Sequence, residues 1–179
     1  MSIPQSAGGP IQGRDDLVRH FSVGSKPASA WRIGTEHEKF VYCPSTLKPL
    51  AYAGATGILQ LMEGMTRFGW KPVKEGDNII GHSLNGASLS LEPGGQFELS
   101  GAALKTIHET CAEVNTHLAQ VREVAAEIGA GMLGLGFAPS WRLDEVPVMP
   151  KGRYQIMRRY MPRVGGYGLD MMFRTCTVQ

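Results

Sequence analysis

The sequence has no run of apolar residues long enough to span a bilayer, which takes about 20 in succession. A helical membrane span is thereby excluded, and no membrane partner is expected. Long blocks of one charge are also missing. Eighteen basic residues stand against 16 acidic ones, a net charge of +2. That argues against nucleic-acid binding by bulk electrostatics and leaves only a local patch open. Cysteine is scarce. Cys43, Cys111 and Cys176 are an odd set with no Cys-x-x-Cys spacing. They point to reduced thiols and a cytoplasmic location rather than to a disulfide framework or a thiolate metal site. Residues 1–13 are small, polar and rich in Gly and Pro, without the basic start and apolar stretch of a secretory signal. No internal repeat is visible. What remains is an ordinary globular composition, 42% hydrophobic and 19% charged over 179 residues, enough for one domain with a core.

Periodicity divides the chain into helices and a strand meander, an α+β arrangement. Asp15 or Asp16 is placed to cap a short helix reaching about Val23, which Lys26-Pro27 breaks. Residues 1–30 therefore read as a flexible lead-in with one short helix, and 31–179 as the body. A strand is predicted over 31–43. A helix over 55–68 is carried by Ile58, Leu59, Leu61, Met62 and Met65. Short extended pieces over 70–73 and 78–80 come after it. Asn85-Gly86 signals a hairpin into a strand over 87–91. The longest helix is predicted over 104–128, with Ile107, Cys111, Val114, Leu118, Val121, Ala125 and Ile128 as one apolar stripe. Cys111 lies on that stripe and is expected to be buried. A short strand over 132–137, a loop over 138–150 and a helix over 154–160 closed by Pro162 come next. Residues 169–179 read as a final strand, with Thr175, Thr177 and Gln179 on one face and Arg174 on the other. It has no subsequent partner, as at a natural edge or in the front part of a longer protein.

The chemistry concentrates in residues 90–101, Ser-Leu-Glu-Pro-Gly-Gly-Gln-Phe-Glu-Leu-Ser-Gly. Glu92 and Glu98 flank a Pro93-Gly94-Gly95 turn, where glycine permits positive φ and close approach. Gln96 and Glu98 share one face and Phe97 and Leu99 the other. A second acidic strand lies upstream, where Glu36 and Glu38 also share a face. Carboxylates brought together in one sheet raise each other's pKa unless a cation sits among them. The two strands are thus a candidate magnesium site. An isolated Glu-x-Glu would more often be a solvated strand face. His37 and Lys39 point away from Glu36, and His82, His108 and His117 share no metal-site spacing.

Several passages together resemble the glutamate–cysteine ligases of plant and proteobacterial type. They are Gly34-Thr35-Glu36-His37-Glu38-Lys39-Phe40, Arg67-Phe68-Gly69-Trp70, residues 90–101 and 110–115, Met149-Pro150-Lys151-Gly152-Arg153-Tyr154, Tyr160-Met161-Pro162 and residues 169–179. The likeness runs from about Trp31 onward. It implies an enzyme that joins the γ-carboxyl of L-glutamate to the amino group of L-cysteine, the first step of glutathione synthesis. ATP is co-substrate, Mg2+ is the cofactor, and a γ-glutamyl phosphate is attacked by the amine. The implied fold is a glutamine synthetase-like, curved, largely antiparallel sheet backed by helices. Family members extend past Gln179, so residues 31–179 would be the N-terminal part of a catalytic domain and, alone, inactive.

By the same resemblance Glu36, Glu92 and Glu98 are the expected metal ligands. Glu38 and Gln179 lie toward metal and nucleotide, while Arg153, Arg174, Thr175 and Thr177 line the substrate pocket. Arg158 and Arg159 are further cationic candidates. No residue is assigned a catalytic role, and oligomeric state is not legible. Three other readings stand beside this one. One is a related carboxylate–amine ligase with another acceptor. The second is a glycosidase, whose paired carboxylates would want aromatic sugar platforms that are scarce here. The third is a non-catalytic acidic β-rich binding domain.

Overall fold

Six antiparallel strands form one sheet in the order β2-β3-β4-β5-β1-β6. The strands are β1 (Glu36–Tyr42), β2 (Lys71–Glu75), β3 (Asn78–Leu84), β4 (Ala87–Leu91), β5 (Phe97–Ser100) and β6 (Gly131–Leu133). The structure, a computed structural model, describes residues 9–178. The β3–β4 hairpin turns on Asn85 and Gly86, at φ 49° and 87°. Two successive positive φ angles make the tight turn that matches strand twist, which is why Asn-Gly is found there. The β4–β5 connection is closed by Glu92 N–H donating to the Gln96 carbonyl at 2.8 Å.

Register decides what each face carries. Glu36 pairs with Ser100, which pairs with Ser88; Glu38 pairs with Glu98, which pairs with Ser90. Side chains alternate across a strand, so these six share one face. On the other face His37 pairs with Leu99, which pairs with Leu89, and Lys39 pairs with Phe97. That second face packs against α2 (Ile58–Met65) and α3 (Ile107–Glu127). Leu89, Leu91, Phe97 and Leu99 meet Leu61, Met62, Met65, Val121 and Val124 in one buried cluster. A smaller cluster joins Phe40, Trp141, Met172 and Phe173. It is built by the loop after β6 and by α5 (Gly168–Arg174), with Met157 and Met161 of α4 (Gly152–Val164) against it. No helix among the described residues is long and apolar enough to cross a membrane.

The structure departs from the sequence expectations in five places. The first helix, α1 (Arg14–Ser22), is capped by Gly13, and Asp15 and Asp16 lie inside its first turn. There Asp16 accepts the Gln12 N–H from within the helix. It buries none of its residues. The strand expected from Trp31 begins only at Glu36, because residues 28–30 form a 3-10 turn. On α3 the buried residues are Thr110, His117, Val121, Val124 and Ala125, while Ile107 and Cys111 are exposed. The buried face of the first half is marked by polar residues, so an apolar count misplaces it. Pro162 sits inside α4 rather than ending it. It lies in the last turns on an exposed side, where water can reach the Arg158 carbonyl that its missing N–H leaves unbonded.

The largest difference is at 169–179. Residues 168–174 are helical, and only single bridges come after them, Thr175 with Phe137 and Val178 with His37. Leu, Met and Arg favour helix, and Asp170 pairs with Arg174 one turn on, at 2.5 Å. The β-branched residues come only after Arg174. Among the described residues the strand parity assumed for Arg174, Thr175 and Thr177 therefore does not exist, and neither does an unpaired final strand. Gln179 lies outside the described residues.

α2 and α3 approach closely at Gly64, where a Cβ would stand 2.3 Å from Val124 Cγ1. Gly64→Ala should destabilise despite a helix-propensity gain of about 1 kcal/mol, because overpacking typically costs about 1–3 kcal/mol. A denaturant midpoint on the intact protein checks this. The double variant with Val124→Ala should recover the loss; an unchanged midpoint in Gly64→Ala would refute the close contact.

Candidate functional site

Glu98 is the centre of a row of oxygen atoms on the face of the sheet turned away from α2 and α3. It is 6% exposed. Ser90 Oγ donates to its Oε2 at 2.6 Å, and Ser100 Oγ donates to its Oε1 at 2.9 Å. The same hydroxyls lie 3.3 Å from Glu92 Oε1 and from Glu36 Oε1. The row thus runs Glu36, Ser100, Glu98, Ser90, Glu92 across β1, β5 and β4. A hydroxyl carries one proton, so two protons serve four carboxylate contacts. Negative charge on this face exceeds what the serines can satisfy.

Glu38 flanks the row. Its oxygens accept from Thr177 N–H and Thr177 Oγ, each at 3.1 Å. Burial holds its carboxyl pKa above the ordinary value. The Thr177 bonds oppose the shift, and the charges of Glu98 and Glu36 add to it. Basic groups arrive from the start of α4. Lys151 is 2% exposed and lies over the Tyr154 ring at 5.2 Å. Burial lowers its ammonium to about 8, with Glu92 pulling the other way. Tyr154 hydroxyl donates to the Leu91 carbonyl at 2.6 Å and stands 3.4 Å from Glu92 Oε2. Arg153 is 4.0 Å from the same oxygen.

The sequence-predicted residues divide into two groups. Glu36, Glu38, Glu92 and Glu98 come together on one face with Thr177 and Arg153. Arg174 and Thr175 do not join them. The Arg174 guanidinium pairs with Asp170 and covers the Phe137 ring at 4.5 Å. With Trp141, Arg158 and Phe173 it lines a separate cavity of about 710 Å³ that none of the four acids borders. The Thr175 hydroxyl turns back to the Met171 carbonyl. Its own carbonyl accepts from Gln96 Nε2 at 2.8 Å, and Gln96 Oε1 accepts from Gly94 N–H, tying the acidic turn to α5. That turn passes so close to α5 that a Cβ on Gly94 would stand 2.5 Å from the Phe173 carbonyl oxygen. Ser90, Ser100, Gln96 and Lys151 went unassigned from the sequence. The alternation Ser88-Leu89-Ser90-Leu91 held a signal for the serines, but nothing local marks Lys151 as buried.

All donors on the face are oxygens, which suits a hard cation such as Mg2+. Among the described residues no three His, Cys, Asp or Glu side chains stand close enough to hold one ion. Adjacent strands lie about 4.8 Å apart, which spreads the acids along a row. Magnesium commonly takes one or two carboxylates and completes its shell with water and substrate phosphate, so a row fits that ion better than a closed cage does.

The family model for "Glutamate-cysteine ligase family 2 (GCS2)" matches residues 32–179. The chain belongs to this family. Among curated proteins it is 60% identical over 167 residues to "Glutamate--cysteine ligase, chloroplastic" of Nicotiana tabacum, covering 93% of this chain and 31% of that protein. It is 58% identical to the protein of the same name in Brassica juncea, covering 93% and 32%. It is 56% identical to "Glutamate--cysteine ligase A, chloroplastic" of Oryza sativa subsp. japonica, covering 93% and 33%. The chain thus spans about a third of the length of these relatives. Their chloroplastic names overturn the cytoplasmic location inferred from cysteine usage. Reduced, unpaired cysteines suit more than one compartment and do not identify it.

Glu38 gives a test of the electrostatics. A carboxyl whose pKa is raised by folding destabilises the native state once it ionises, and the penalty fades as pH falls through that raised pKa. Glu38→Gln, which keeps an oxygen for Thr177, should raise the denaturation midpoint at pH 7. The gain should shrink steadily on acidification. A midpoint lowered at pH 7, or a gain that grows in acid, would contradict the assignment.

Proposed function

We propose that the intact protein is an ATP-dependent ligase that joins the γ-carboxyl of glutamate to the amine of cysteine through a γ-glutamyl phosphate, as a step of glutathione synthesis. Family membership over 32–179 and the names of the relatives support this. The observation that carries the mechanism is the row Glu36–Ser100–Glu98–Ser90–Glu92 on one sheet face. In this reading the sheet is of the glutamine synthetase kind, with the row as its floor.

Glu36, Glu92 and Glu98 would each offer a carboxylate to Mg2+, one or two to any one ion with substrate phosphate and water completing its shell, with Glu38 beside them. When bound, the ion supplies charge neutralisation between ATP and the glutamate carboxylate. Ser90 and Ser100 hold the Glu98 carboxylate in one orientation, so the oxygens are set before substrate arrives. Lys151 places a buried positive charge behind Glu92 and limits repulsion along the row. Arg153 is the better candidate for a substrate carboxylate, since its planar fork suits bidentate pairing and it lies 4.0 Å from Glu92. Arg174 is already engaged by Asp170.

Titration of ATP with and without Mg2+ into the intact protein tests the reading. Wild type should show magnesium-dependent affinity. Glu92→Gln and Glu98→Gln should weaken it by about tenfold or more, the loss of roughly one charged contact. Equal affinity and equal turnover in both variants would remove the metal assignment. Product assays with cysteine against other amines test the acceptor separately. The 179 residues alone should show no ligase turnover, and turnover at the intact protein's rate would overturn that expectation.

A further inference from the structure

The face of the sheet covered by α3 holds a second polar cluster, which the ligase reading does not use. Lys39 Nζ stands 2.7 Å from His37 Nδ1 and 3.2 Å from His117 Nε2. Lys39 is 6% exposed and His117 is 2% exposed. An ammonium only donates, so both ring nitrogens accept and each neutral ring carries its proton on the far nitrogen. Those far atoms, His37 Nε2 and His117 Nδ1, are buried without a hydrogen-bond partner among the described residues. The cluster therefore holds one positive charge and spare donors. No carboxylate among the described residues comes within ion-pair distance of Lys39. A buried charge without a counter-charge is costly.

A cavity of about 500 Å³ opens beside it, between α3 and the β1–β6 edge. That is the size of a small-ligand pocket. Lys39 and His37 form its polar end and Arg122 lies at its exposed rim, while Val114, Leu118, Val121 and Met132 supply apolar wall. Glu38 also borders it, but its oxygens are taken by Thr177.

We propose that this cavity binds a small aliphatic carboxylate, its head on the Lys39 ammonium and its tail along α3. The anion supplies the counter-charge that the two neutral imidazoles cannot, and the tail covers valine and leucine surface. Glu36, Glu92 and Glu98 lie on the other face of the sheet, and of the four acids only Glu38 borders the cavity.

The test is calorimetric titration of the intact protein, free of Mg2+ and ATP, with hexanoate, hexylamine and inorganic phosphate. Hexanoate should bind saturably and hexylamine should not. Lys39→Met should weaken hexanoate by about tenfold or more, as expected for a charged hydrogen bond. Leu118→Trp, which fills the apolar end, should weaken it too. No saturable hexanoate binding by wild type would overturn the site. So would undiminished binding in Leu118→Trp, which decides alone if circular dichroism shows Lys39→Met unfolded. Phosphate binding without hexanoate binding would overturn the apolar half of the proposal.

Discussion

Glu38 and Glu98 face each other across the β1–β5 ladder. Like charges directly opposite in a sheet are unfavourable by about 0.2–1 kcal/mol, so the pairing does not hold itself in register. The opposite face does. Leu89, Leu91, Phe97 and Leu99 are fully buried against α2 and α3, and each such side chain contributes about 1.5–3 kcal/mol. A one-residue slip would turn all of them outward. Burial on one side thus compels the acids together on the other, and the geometry of the acidic row depends on that constraint.

The serines make the arrangement specific. Ser90 stands beside Glu98 because β4 and β5 pair the two, and Ser100 because it comes two residues later on the same face of β5. Both hydroxyls lie closest to the most buried carboxylate, and Tyr154 and Arg153 approach Glu92 from the other side. A row of carboxylate and hydroxyl oxygens is chemistry suited to a divalent cation. The arrangement places small hydroxyl residues in alternation with leucine in β4.

The two faces use charge in opposite ways. One gathers carboxylates in a row and brings Lys151 and Arg153 to its edge. The other buries Lys39 between two histidines under α3. The single strand β1 supplies both, by alternation of Glu36, His37, Glu38 and Lys39. Even residues meet the face of the acidic row and odd residues meet the helix. Four consecutive polar residues in a strand of a folded domain are otherwise hard to accommodate.

The meander, the Asn85-Gly86 hairpin, the long helix and the sharing of a face by Glu36 and Glu38 were all legible in the sequence. Each arises from a local rule: side-chain alternation, a turn that needs positive φ, or a spacing of three and four. The partners of those residues were not legible. That Glu98 takes two serine protons, that Lys151 is buried beside Tyr154, and that Thr110 and His117 rather than Cys111 face the sheet depend on pairings between segments far apart in the chain. The helix at 168–174 belongs with these. An apolar stretch of that length is compatible with strand or helix, and only its packing on Phe40 and Trp141, with Gln96 bonding the Met172 and Thr175 carbonyls, decides between them.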